Sequence, residues 1–128
     1  MPALYSLIGG WVAILLGCLA GATQGLFFHK DDWLGGYGSW PRRMTRLGHV
    51  ALVALGLLNV ALAGPAAMVG VRWEKLSGAL LFAAMCTMPA VCDLSALRRG
   101  FRHLFYLPAL CVIAGVCSVI WGVPWTLD

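Results

Sequence analysis

The apolar positions of the chain gather into four long runs, and the polar positions fall almost entirely between them. A helix that crosses a bilayer needs about 20 predominantly apolar residues, and each run is close to that length. The pattern predicts helices over about residues 4–28, 46–68, 78–94 and 104–125. It therefore predicts an all-α integral membrane protein, a four-transmembrane-helix bundle that makes a single membrane domain of residues 1–128. Four spans and short connections use the whole length. The first run has no basic residue ahead of it and exceeds the roughly 7 to 15 residues of a signal-peptide core, so it is read as a helix of the mature protein.

Small and polar residues mark faces on these cylinders. In the first helix Gly17, Gly21 and Gly25 recur at every fourth position, with Gln24 beside them. Such small-residue steps let membrane helices approach closely when lipid and protein are equally apolar. In the second helix His49, Leu52, Gly56, Asn59 and Ala63 share one stripe, and in the fourth Pro108, Cys111, Gly115, Ser118 and Gly122 do. Gly17, Gly21, Gly25, Gly56, Asn59 and Gly115 are accordingly the expected helix-packing positions. In the third helix Pro89 removes a backbone donor. Met85, Met88 and Cys92 recur on one of its faces, a donor set soft enough for Cu(I).

Composition agrees with the pattern. Hydrophobic residues make up 61% and charged residues 11% of the 128, against about a quarter charged in soluble domains. Five cysteines lie in or at the ends of apolar runs without a CxxC or CxxCH signature, so they read as small packing residues. The glycines of the 29–45 loop form neither a phosphate-binding loop nor a dinucleotide fingerprint. Its Trp33, Tyr37 and Trp40 suit the headgroup layer.

The net charge of +4 is unevenly placed. Lys30, Arg42, Arg43 and Arg46 lie between the first two runs, and Arg98, Arg99 and Arg102 between the last two, whereas the remaining connection carries only Arg72 and Lys75. Basic loops stay cytoplasmic. The expectation is a multi-pass protein of the cell membrane with both termini on the non-cytoplasmic side. Arg42, Arg43, Arg46, Arg98, Arg99 and Arg102 are the candidates for contact with lipid or an anionic partner. Membrane lipids, further copies of the chain or a larger membrane complex are the expected partners; nucleic acid is not.

The same topology gathers chemistry at one end. His29 ends the first helix, His49 begins the second, Cys92 and Asp93 end the third, and His103 begins the fourth. His29, His49 and His103 are candidate ligands for haem b, and His49, His103 and Asp93 for a transition metal, since bundles build such sites between facing helices. Against this, no HxxxH, HExxH or ExxH spacing accompanies them. Transport needs ionisable residues deep in the membrane, and only Gln24 and Asn59 offer polarity there. The sequence is best accounted for as a non-catalytic structural or assembly subunit of a membrane complex or homo-oligomer. A haem- or metal-binding redox subunit and a small transporter or channel are the alternatives.

Overall fold

Why the second helix starts where it does is settled by one serine. The Ser39 hydroxyl accepts the backbone N–H of Arg42 at 3.3 Å and donates to the Leu34 carbonyl at 2.6 Å. It caps the helix while pinning the loop before it. Pro41 sits in the first turn, where its missing N–H is harmless. In the computed structural model, which describes residues 2–68 and 71–123, this helix therefore starts at Trp40 rather than at Arg46.

The four helices are α1 (Pro2–Leu26), α2 (Trp40–Met68), α3 (Glu74–Leu97) and α4 (Tyr106–Gly122). All are long and apolar enough to cross a membrane once the 3₁₀ segment Arg99–Phe105 is counted with α4. A second 3₁₀ turn, Trp33–Gly35, lies between α1 and α2. There Leu34 takes φ 53°, followed by Gly35 at 85° and Gly36 at 92°. Glycine enters this left-handed region freely; a leucine does so only when its surroundings hold it.

α3 begins with the acidic Glu74 in its first turn and passes through Pro89 without ending. It stops where the apolar run meets Arg98, whose backbone is extended. Residues 104 and 105, expected in the fourth helix, belong to the 3₁₀ segment. The expected end of that helix at residue 125 lies outside the described residues, as do Trp125 and Asp128.

The packed pairs are α1 with α2, α2 with α3, α3 with α4, and α1 with α3. α3 is thus the central element and α4 the edge. One core cluster joins Ala13, Leu55, Ala84 and Met85, with Leu52, Met88, Cys111 and Val112 against it. Another joins Leu62, Val71 and Leu81 to Val116, Val119 and Val123. Met85 and Met88, considered above for copper, are spent in the first cluster.

Close approach comes from glycine. A Cβ on Gly10 would lie 2.7 Å from the Gly56 carbonyl oxygen, and one on Gly56 2.8 Å from the Gly10 carbonyl oxygen. Gly17 faces Val53 and the His49 carbonyl, and Gly115 faces Leu81. A Cβ on Gly25 would meet nothing within 4 Å. The α1 seam thus runs Gly10–Gly17–Gly21 instead of continuing to Gly25, because the next position turned toward α2 is the buried Gln24, while Gly25 is exposed.

Candidate functional site

Polar side chains inside the bundle fasten one helix to the next. Asn59, fully buried, donates through Nδ2 to the Leu55 carbonyl at 2.9 Å and across to the Leu81 carbonyl of α3 at 3.2 Å. The hydroxyls of Ser77 on α3 and Ser118 on α4 stand 2.7 Å apart and share a hydrogen bond. Trp40 donates its indole N–H to the Ser95 carbonyl at 2.8 Å, closing α2 on the end of α3. Gln24 donates to the Thr45 carbonyl at 3.3 Å, tying α1 to α2. An amide or hydroxyl in hydrocarbon needs such a partner, and interhelical bonds supply it at roughly 0.6–2 kcal/mol each.

At the basic end, where α1 and α3 finish and α2 starts, α1 and α2 meet rung by rung. Gly21 lies against the His49 ring, Gln24 against Thr45, and Phe28 against Arg42. Arg42 is only 3% exposed. Its guanidinium lies 5.3 Å from the Phe28 ring centroid and 5.4 Å from those of Trp33 and Tyr37, and it reaches the Phe28 carbonyl at 3.5 Å. Cation–π contacts of this kind contribute about 0.5 to 2 kcal/mol, more when desolvated. Phe27 and Trp33 stack at 5.7 Å in the same loop. Arg42 thus acts as the pin of the loop, in contrast to its expected place among the lipid-facing arginines. Arg43, Arg98, Arg99 and Arg102 are exposed, and Arg46 lies half-buried 4.4 Å over the Tyr37 ring.

The histidines go separate ways. His29 and His103 are exposed, the first just beyond α1 and the second in the 3₁₀ segment. His49 turns toward α1, where a Cβ on Gly21 would lie 3.0 Å from its Cδ2 and 3.3 Å from its Nε2. It is the neighbouring Gly48 that faces α3, with Asp93 Oδ1 3.6 Å from the position of its Cβ. Consecutive helical residues point about 100° apart, so His49 and Asp93 are directed to different interfaces. Among the described residues, no group of three or more His, Cys, Asp or Glu side chains is placed to hold a metal ion.

Among the described residues, five enclosed side-chain polar atoms have no hydrogen-bond partner: Gln24 Oε1, Arg42 Nε, His49 Nδ1, Asn59 Oδ1 and Ser95 Oγ. Three of them belong to the α1–α2 rungs at the basic end. Beside those rungs an open groove of about 470 Å³ runs between α1 and α2, lined by Gly17, Gly21, Ala22, His49, Val53 and Leu57 among others. His49 is its only ionisable side chain apart from the Cys18 thiol. The sequence marked His49 and the arginines but gave no sign of this groove, which depends on which faces of α1 and α2 stay uncovered.

Four apolar helices of spanning length, tied together by buried amides and hydroxyls, define the chain as an all-helical membrane protein. No family model, no curated protein and no solved structure matches it.

Proposed function

We propose that the chain is a non-catalytic structural subunit of the cell membrane, assembling with further copies of itself or within a larger membrane complex. The observation that carries this reading is the use made of the interior polar groups. Asn59, Trp40 and Gln24 spend donors on joining helices and Ser77 and Ser118 share one bond between theirs, which builds a rigid scaffold. The central core between them is filled by Ala13, Leu55, Ala84 and Met85.

α4 is the proposed docking helix. It rests on α3 through Gly115, against Leu81, and on the segment before α3 through Gly122, against Val71 and Trp73, and presents Leu110, Ile113 and Trp121 outward at 64%, 59% and 81% exposure. Ala114 and Cys117 are exposed among them, small residues that give a second helix room to approach. The basic end is proposed to face the cytoplasm, placing both termini on the other side. Exposed Arg43, Arg98, Arg99 and Arg102 then meet anionic headgroups.

The test is cross-linking through Cys117 in a chain whose other cysteines are replaced, combined with native mass spectrometry from nanodiscs. A Cys117-linked dimer, weakened by Ile113→Trp, is expected if copies pair through α4. A strictly monomeric species without stoichiometric partners would sink the subunit reading. Labelling of a cysteine placed at Arg43 by an impermeant reagent from outside intact cells would reverse the orientation.

A further inference from the structure

A second groove opens between α1 and α3, starting at the end of the bundle opposite the basic one. Its mouth is a hollow of about 300 Å³ lined by Tyr5, Lys75, Gly78 and Ala79 among others. Phe82 belongs both to this hollow and to one of about 260 Å³ that continues past Val12 and Cys86 to Pro89. Below the mouth the lining side chains carry no polar group other than the sulfurs of Met85 and Cys86.

Length and width restrict what can lie there. From Lys75 to Pro89, 14 residues further along α3, the groove covers about 21 Å at the 1.5 Å rise of a helix. Half of a bilayer, headgroups included, is about 20 to 22 Å thick. The groove is thus as long as one lipid. A helix is about 10–12 Å across, so 21 Å of it would need roughly three times the volume of both hollows. An unbranched hydrocarbon chain is slender enough to follow the whole course.

Charge restricts the headgroup. Lys75 is exposed, and it is the one charged side chain lining the groove. Its ammonium offers three donors and no acceptor. Tyr5 beside it suits the headgroup layer. Arg72, the neighbouring cation, lies 5.5 Å over the Trp73 ring and does not line the groove. No carboxylate lines the mouth. A choline or ethanolamine headgroup would therefore find a partner for its phosphate and a like charge facing its own cation. A headgroup with net negative charge meets no such conflict.

We infer that the α1–α3 groove holds an anionic phospholipid from the leaflet at the Lys75 end, its phosphate on the Lys75 ammonium and one acyl chain running over Ala79 and past Phe82 to Pro89. The site depends neither on docking through α4 nor on which end of the bundle faces the cytoplasm.

The probe is phosphatidylglycerol with a diazirine halfway along one acyl chain, and the control is phosphatidylcholine carrying the same chain. Each is photolysed in nanodiscs with the full-length protein, and the label is mapped by peptide mass spectrometry relative to exposed Leu110 and Ile113 of α4. Label from phosphatidylglycerol is expected to concentrate on the Val12 and Cys86 segments, about 5-fold above the phosphatidylcholine control, the worth of one lysine near an anionic headgroup. Lys75→Gln should bring the two lipids level, while Arg72→Gln should preserve the difference. Ala79→Trp, at an exposed position in the mouth, should remove the concentrated label of both lipids. Label spread evenly over α1, α3 and α4, equal labelling by the two lipids, equal losses in Lys75→Gln and Arg72→Gln, or label that persists in Ala79→Trp would overturn the assignment.

Discussion

Substituting Gly56 by alanine tests the closest helix crossing in the molecule. The new Cβ would lie 2.8 Å from the Gly10 carbonyl oxygen, 3.0 Å from Ile14 Cγ1 and 3.2 Å from Ala13 Cβ. Ordinary van der Waals contact begins at 3.4 Å, so the clash with Gly10 is 3.4 − 2.8, about 0.6 Å. The obstructing atom is backbone, which cannot swing away as a side chain does. Relief requires α1 and α2 to separate, and the Gly17 and Gly21 contacts on the same seam loosen with them. Overpacking of this kind costs about 1 to 3 kcal/mol. In water, alanine would recover about 1 kcal/mol of helix propensity over glycine. In a bilayer both separated helices are already helical, since their backbone groups have no other partners, so little of that gain is realised. A loss of about 1 to 3 kcal/mol corresponds to an unfolding equilibrium shifted about 5- to 150-fold. The assay is reversible unfolding by SDS titration in mixed micelles, followed by tryptophan fluorescence. Gly10→Ala meets the same contact from the other side, so the double variant should cost much less than the sum of the two singles. Gly25→Ala, with nothing within 4 Å of its Cβ, is the control and should lie within about 0.5 kcal/mol of the parent. Equal stability of Gly56→Ala and the parent, or an equal loss in Gly25→Ala, would refute the close-crossing account.

Asn59→Ala should destabilise by about 1 kcal/mol in the same titration through loss of the bond to the Leu81 carbonyl; no change would mean that the amide is idle. Ser77→Ala and Ser118→Ala should couple by about 0.5 to 1 kcal/mol in a double-mutant cycle, because they share one bond, and additivity would count against it. Arg42→Gln should free the 27–37 loop, read as faster proteolysis within it and loss of Phe27–Trp33 stacking in near-ultraviolet circular dichroism. Arg43→Gln, on an exposed side chain, should leave both readings unchanged.

The four apolar runs made the helices legible, because hydropathy reports directly on what the bilayer will accept. The start of α2 was present as Ser39, Trp40 and Pro41, a cap followed by a first-turn proline, but three arginines close behind made the stretch resemble loop. Of the α4 stripe, Pro108, Gly115 and Gly122 are buried and Ser118 is bonded to α3, so small-residue spacing was a sound guide there. In α1 the same spacing pointed to Gly25, whereas the contact with α2 continues through Gln24, since a strict four-residue step drifts from the 3.6-residue turn of a helix. The depth of Arg42 was hidden for a different reason. Charge assigned it to the headgroups, and only the folded loop supplies the three rings that enclose it. The direction of His49 likewise depends on the roll of α2, which decides whether residue 48 or residue 49 meets α3.

The packing of α2 on α1, α3 on α2 and α4 on α3 also bears on how the protein enters the membrane. Each helix finds its main partner in the one made immediately before it, so none must wait in lipid for a distant stretch still on the ribosome. Asn59 Nδ2 gains its cross-helix acceptor as soon as Leu81 arrives beside it, and Ser77 gains its cross-helix bond as soon as Ser118 does. Synthesis order and assembly order coincide, and α4 can complete the fold last without reopening the seam between α1 and α2.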